Sequence, residues 1–321
     1  MMFTLSSEQT DFATVLHGFL AAGKTDLASL GVDEVTDPVD LVVVFEELGH
    51  HAVSGPMVES LAVVPALVKG LEPGAGGRAG GRAGGRAGGR AGGRAGGSGR
   101  GAAGGGGGGG AGARVVDGAG AGFGTWSVAF PPLVPHAVEA DRYLLVEGDT
   151  LREAAPTAEL QSVDPARRLV ELSAGPVIAT GVPADRAFDL GVLTCSAQLL
   201  GLGRAMLEMT TAHAKARAQF GKPIGGFQAV KHHLANVLIG LELARPLVFG
   251  AAVTMSSRDV SAAKVATSDA AWQAARTALQ VHGAIGYTAE HDLGRFLLQT
   301  RALRTAWGSP SMHRARVLEA L

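Results

Sequence analysis

Two adjacent histidine pairs, His50-His51 and His232-His233, and one glycine run, Gly118-Ala-Gly120-Ala-Gly122-Phe-Gly124, carry residue types that could bind a metal or a phosphate. Spacing argues against all three. Consecutive residues of a helix point to different faces, so neither pair makes a good metal site, and each reads as one surface member and one packed member. One Cys with scattered His does not supply the four ligands of a zinc site. The glycine run mimics a dinucleotide fingerprint. Its next residues, however, are Thr125-Trp126-Ser127 up to Pro131-Pro132, which cannot be the phosphate-binding helix that the fingerprint requires. Cys195 lies in the apolar run Leu193 to Leu202 and reads as a small core residue. No paired-carboxylate signature, nucleophile elbow or phosphate loop occurs.

The elements that would position any site are mostly helices. Ser6 or Ser7 can cap a helix through Leu20, with Phe12, Val15, Leu16 and Phe19 on one side. Asp37-Pro38 starts a second, whose face is Leu41, Val44, Phe45 and Leu48 and which Gly49 should end. Leu61 to Val68 is a third apolar stretch, opened by Pro56 and closed by Gly70. Val138 to Val146 and Arg168 to Leu172 read as strands. From Asp185 onward the pattern gives four long helices, 185–220, 227–256, 261–282 and 290–304, which describe a helical bundle. The chain therefore divides into an N-terminal helical domain (1–73), a Gly/Arg-rich disordered linker (74–114), a shortened β middle domain (115–183) and a C-terminal helical bundle (184–321).

Charge narrows the function classes. Of 48 Gly, 27 fall between Gly74 and Gly124, in a tract where Arg78, Arg82, Arg86, Arg90 and Arg94 recur every four residues. Seven Arg and no acid lie between Gly74 and Arg114, so against a formal total of −1 the rest of the chain carries −8. An acidic body excludes a general nucleic-acid binder, and the Gly/Arg tract has no interleaved aromatics to stack on bases. One cysteine forms no internal disulfide, and no signal peptide is evident, so the cytoplasm is the expected location. No uncharged apolar run reaches about 18 residues, so no membrane span is expected.

Two segments stand out by identity: Ala216-Arg-Ala-Gln-Phe-Gly-Lys-Pro-Ile-Gly-Gly-Phe-Gln228 and Gln280-Val-His-Gly-Ala-Ile-Gly-Tyr-Thr-Ala-Glu290. With Phe45-Glu-Glu-Leu-Gly49, the chain resembles the acyl-CoA dehydrogenase family over about 1–70 and 180–321. The resemblance implies a mainly α fold: an N-terminal helical domain, a β middle domain, here truncated, and a C-terminal four-helix bundle. It also implies FAD held between subunits, with one subunit's bundle gripping the adenosine diphosphate half of its neighbour's flavin. The matching residues are Arg217, a guanidinium suited to forking onto the diphosphate, Phe220 at the adenine end, and Gln228. The loop Gln280, Val281, His282, Gly283, Ala284 stands in for Gln-x-x-Gly-Gly, with Ala in place of the second Gly. Ser309 completes the implied cofactor contacts.

The family reaction, as the resemblance implies it, removes the acyl α-proton with a Glu while the β-hydrogen leaves as hydride to the flavin. It yields a 2-enoyl-CoA and passes electrons to an electron-transfer flavoprotein. Both usual homes of that base are empty here: Trp307 stands at one and Gly191 at the other. The combination resembles the short subunit of heteromeric acyl-CoA dehydrogenases of actinobacterial steroid side-chain breakdown, in which unlike chains, as in an α2β2 assembly, share flavin sites. The expected partners are then a dehydrogenase-like subunit, an acyl-CoA and the electron-transfer flavoprotein. Two other readings stay open: a self-sufficient dehydrogenase whose base is Glu290 or Asp189, and a flavin-free structural partner.

Overall fold

The computed structural model describes residues 4–69, 124–132, 140–288 and 290–321. The expected linker (74–114), the start of the glycine run and the first residues of the strand expected from Val138 lie outside the described residues.

Helix α1 (Ser7–Ala21) opens with a capping box: Ser6 Oγ accepts from the Gln9 N–H, and the Gln9 side chain accepts from the Ser6 N–H. Helix α2 (Pro38–His50) starts on Asp37, whose carboxylate accepts from the N–H groups of Val39 and Asp40. Gly49 does not end it. The helix continues to His50 because Gly49 is a packing glycine, pressed against the backbone of another helix. A π turn, Glu59–Val63, leads into α3 (Val64–Val68).

Next in the chain comes a four-stranded sheet, with β1 (Trp126–Ala129), β2 (Arg142–Glu147), β3 (Thr150–Leu160) and β4 (Leu169–Thr180) in that spatial order. Strands β1 and β2 are parallel and the other pairs antiparallel. The sequence pattern misses β1 and β3 and shortens β4. Along β3 only Leu151 is buried, so no apolar alternation marks it, and pairing with β2 and β4 makes it a strand.

The bundle is α4 (Ala184–Ala216), α5 (Gln228–Thr254), α6 (Ser257–His282) and α7 (Leu293–Leu303), with a further helix, α8 (Pro310–Glu319), that the sequence pattern does not announce. A short hairpin, β5 (Ala218–Gln219) with β6 (Lys222–Pro223), joins α4 to α5. The mainly helical architecture with a small sheet is the one expected.

Helices α4 and α5 are both long and apolar enough, by length and composition, to cross a membrane, although charged residues interrupt each run. In α4 the apolar residues are mostly buried in the bundle, whereas α5 turns Leu238, Ile239, Leu243, Leu247 and Val253 outward. One expectation needs correction: the histidine pairs differ from their expected one-in, one-out arrangement. His232 and His233 are both exposed on α5. Helix α2 ends at His50, so His51 leaves the helical path and its ring sits 5.1 Å from that of His50.

The core is organised by α4 against α2. A Cβ built on Gly49 would overlap the Gln198 backbone, and one on Gly201 would overlap the Glu46 carbonyl and come within 2.6 Å of the His50 nitrogen. The two backbones therefore touch. Phe45, Leu48, Leu199 and Leu200, all fully buried, fill the flanks. Gly201→Ala must push the helices apart and should cost at least about 1–3 kcal/mol. Gly18→Ala, mid-helix with nothing near its Cβ, should stabilise by about 0.5–1 kcal/mol. Urea midpoints of the two variants should move in opposite directions.

Candidate functional site

The residues singled out in the sequence fall into two groups at opposite ends of α4. At the C-terminal end, Arg217 caps the helix in an extended conformation, and its N–H donates to the His213 carbonyl at 2.8 Å. The hairpin turn then needs two left-handed residues, Phe220 (φ 53°) and Gly221 (φ 79°). Phe220 is thereby thrust into solvent, 90% exposed, and its ring edge meets Phe227 with centroids 6.2 Å apart. The Lys222 ammonium lies 4.4 Å from the centre of the Phe227 ring. Arg217 is exposed, and no hydrogen bond or ion pair engages its guanidinium among the described residues. Gln228 begins α5, whose N-cap residue, Phe227, offers no side chain to the first N–H groups.

The loop from Gln280 to Ala284 closes α6 beside this hairpin. Gly283 (φ 64°) terminates the helix in a conformation that favours glycine. His282 is buried, its Nδ1 2.8 Å from the Ala278 carbonyl, and its ring stacks on His213 at 4.4 Å. Burial holds both imidazoles below the usual histidine range, so neutral rings stack without repulsion. That stack ties the end of α6 to the end of α4 and brings Arg217, Phe220 and Gln228 to the same end of the bundle as Gln280 through Ala284. His291 packs edge-on against His282 at 4.7 Å, and Glu290 beside it is exposed.

The second group lies at the N-terminal end of α4. Gly191 and Trp307 are in direct contact: a Cβ on Gly191 would come within 2.6 Å of the indole. Phe130, Phe188 and Trp307 form an aromatic triangle with centroids 5.7 to 6.0 Å apart. Asp189 is buried and fully engaged. It accepts from the Arg316 guanidinium at 2.9 Å and from the Ser257 hydroxyl at 2.5 Å. Arg316 also donates to Ser261 Oγ, 3.2 Å from His313 Nδ1, while His313 Nε2 donates to the Trp307 carbonyl at 2.9 Å. Ser309 lies at this end too, its hydroxyl capping α8 by accepting from the Met312 N–H. It is separated from the other expected cofactor residues.

Two inward-facing cations are among those with no counterpart in the residues singled out in the sequence. Lys264 is fully buried and donates to the Leu303 carbonyl at 2.7 Å and to Cys195 Sγ at 3.0 Å. The β3–β4 loop sends Arg167 inward, with its Nε buried and unpartnered and its pKa lowered by burial despite Glu59, Cys195 and Asp164 nearby. Asp164, Ala166 and Arg167 line a small cavity with Gln198, Gln299, Leu303 and Trp307. Nothing in the loop sequence marks Arg167 as inward-facing.

Gly191 and His213 stand 22 residues apart on one continuous helix, which at 1.5 Å per residue is about 33 Å along its axis. Glu290, next to the His213–His282–His291 group, is thus remote from the Trp307 contact.

Residues 183–321 match the acyl-CoA dehydrogenase, C-terminal domain family. The chain is 33% identical over 204 residues to the acyl-CoA dehydrogenase IpdE2 of Mycolicibacterium smegmatis, covering 63% of this chain and 64% of that protein. It is 37% identical over 171 residues to the acyl-CoA dehydrogenase FadE34 of Mycobacterium tuberculosis, covering 50% of this chain and 24% of that one. The chain thus spans less than two thirds of these relatives' length. Its fold is similar to a solved acyl-CoA dehydrogenase from Mycobacterium smegmatis (TM-score 0.73, 15% identity, 98% of each chain). It is also similar to a chain of the ChsE4-ChsE5 complex from Mycobacterium tuberculosis (TM-score 0.68, 19% identity, 99% of this chain and 98% of that one).

His313 supplies a pH test of the Trp307 end. Burial pushes its pKa down to about 4 from the ordinary 6.5. The unfolded chain therefore binds this proton first, and stability falls as pH drops from about 6.5 to 4, by up to about 3 kcal/mol for this residue. His313→Gln keeps a donor for the Trp307 carbonyl but cannot titrate. The stability gap between wild type and variant, read by urea unfolding, should narrow from pH 7 to pH 4.5.

Proposed function

We infer, from a C-terminal segment (183–321) that belongs to the acyl-CoA dehydrogenase C-terminal domain family, that this chain is the subunit of an FAD-dependent acyl-CoA dehydrogenase heteromer that supplies flavin-tail contacts and no catalytic base. One observation carries the reading: the two positions where a base would stand, Trp307 and Gly191, are packed on each other inside an aromatic triangle. Asp189, two residues from Gly191, is held by Arg316 and Ser257 and is not free to take an α-proton.

The residues at the other end fit the phosphate-bearing half of FAD. A guanidinium with no partner among the described residues and a helix N-terminus without a capping side chain are groups that an anionic diphosphate satisfies. Arg217 would hold the diphosphate, Phe220 would pack at the adenine end, and Gln228 with Gln280, Val281, His282, Gly283 and Ala284 would line the remaining approach. When bound, FAD supplies the hydride acceptor of an α,β-desaturation. Gly191 and His213 lie about 33 Å apart along α4, which favours a tail held here that belongs to a flavin whose reactive ring lies in another subunit.

That partner would provide the base and bind the acyl-CoA, and electrons would leave through an electron-transfer flavoprotein. A base contributes about 10²–10⁴ in rate, so the chain alone should be nearly inactive. The outward stripe Ile239, Leu243 and Leu247, at helical spacing on α5, suits burial against the partner.

Arg217→Ala, co-expressed with a dehydrogenase-like partner, should yield an assembled complex with less than half the wild-type flavin absorbance per chain. Unchanged flavin content would refute the tail-holding role, and flavin retained by the isolated chain would favour a self-sufficient enzyme. Leu243→Arg should separate the two subunits on size-exclusion chromatography while each stays folded by circular dichroism.

A further inference from the structure

We propose that His17, Glu47, His50 and His51 form a binding site for one zinc-class divalent cation that clips α1 to the end of α2. One donor atom from each residue lies within 4.8 Å of the others. The three imidazole centroids are 4.6 to 5.1 Å apart, so the rings surround a common point. Three histidine nitrogens and one carboxylate oxygen are a donor set that suits Zn²⁺, with bonds near 2.0–2.1 Å and tetrahedral neighbours therefore about 3.3 Å apart. His17 Nδ1 lies 3.2 Å from His51 Nε2 and 2.8 Å from Glu47 Oε2, close to that spacing before any ion draws the ligands together.

Two features favour a cation over a hydrogen-bonded cluster. His17 Nδ1 has a single lone pair or a single proton, yet both a carboxylate oxygen and an imidazole nitrogen converge on it. A cation uses all three lone pairs at once. His50 Nδ1 is buried with no hydrogen-bond partner, while its Nε2 is 3.0 Å from the Glu208 carboxylate. A metal-bound histidine usually has its outer ring nitrogen held by a carboxylate or carbonyl and its other lone pair on the ion, and His50 offers both. Local structure explains the convergence: Glu47 and His50 share the last turn of α2, and His51 caps it, the helix stopping before His51 would rotate away. His17 arrives from α1, half-exposed, leaving a path for the ion. The charges around the cluster are mixed. Arg295 faces it, Arg204, paired with Glu46, also lies 3.8 Å from the Glu47 Oε1 that the ion would not use, and Glu208 adds a carboxylate.

The site is independent of the flavin reading, because its test needs neither FAD nor activity. The full-length chain, made without a histidine tag and stripped with EDTA, is titrated with Co²⁺ and, by competition, Zn²⁺. The expected result is one ion per chain with the intense visible bands of tetrahedral Co²⁺, and a Zn²⁺-dependent rise in Tm. His17→Ala, a substitution at a half-exposed position, should weaken Zn²⁺ binding at least tenfold and remove the Tm shift. The double variant His232→Ala/His233→Ala, on exposed histidines of α5, should change neither. Binding that survives His17→Ala, binding lost in the His232/His233 variant, or octahedral Co²⁺ spectra throughout would each overturn the proposal.

Discussion

Backbone contact between α2 and α4 fixes where everything before the Gly/Arg tract can sit. Neither Gly49 nor Gly201 has room for a Cβ, so the crossing is held to within less than a methyl group. Such close approach brings Glu46, 3% exposed, to the crossing itself. A carboxylate there is tolerable only because Arg204 and Arg245 both donate to it from the bundle helices α4 and α5. The glycines set the distance and the ion pairs set the register. Helix α1 then packs on α2, and His50, at the end of α2, is delivered against Glu208 of α4. A small change at this crossing would move all of these together.

The length of α4 sets the second constraint. It is buried along most of its course, so it acts as a rigid ruler and cannot flex to bring its ends together. One end carries the Arg217 hairpin and the stacked His213–His282 pair. The other carries Gly191 under Trp307. Under the subunit reading, a flavin whose tail is gripped at the first end would find its chemistry in a second chain. The exposed Phe220 and the outward apolar stripe on α5 suit the same requirement, since both are large apolar surfaces left uncovered by this chain.

Local rules decide what can be seen in the sequence. The caps at Ser6 and Asp37 and the helical spacing from Asp185 onward each depend on neighbouring residues alone, and each is found where the pattern puts it. Failures arise where tertiary contact overrides the pattern. Gly49 looks like a helix stop and proves to be a packing surface. Strand β3 carries too few buried residues to announce itself and exists because two neighbours pair with it. A one-in, one-out placement of His50 and His51 requires a continuing helix, and α2 ends between the two. For the candidate site, the identity of Trp307 and Gly191 is legible, but their mutual contact is not. The inward path of Arg167 has no sequence signal at all.

The Trp307 end also shows that its apolar character is built in. Trp307 has φ 57° and Gly308 φ 100°, and a bulky residue in the left-handed region costs about 1–3 kcal/mol. The cost is offset by specific contacts. His313 holds the Trp307 carbonyl, Ser261 orients His313, Arg316 orients Ser261, and Asp189 anchors Arg316. The Arg316 guanidinium also lies 5.3 Å from the centre of the Phe188 ring, closing the wall. A carboxylate placed at position 307 would enter among Phe130, Phe188 and the backbone of Gly191, where no ring can donate a hydrogen bond to it. Arg316, which closes this wall, is already paired with Asp189, while Arg167 lines the cavity on the other side of Trp307 with its Nε unpartnered. On the aromatic side such a carboxylate would be desolvated, which drives its pKa upward. Restoring the chemistry would therefore require reshaping the aromatic triangle as well as supplying the carboxylate, and under the subunit reading the aromatic packing fills the place where a base would otherwise stand.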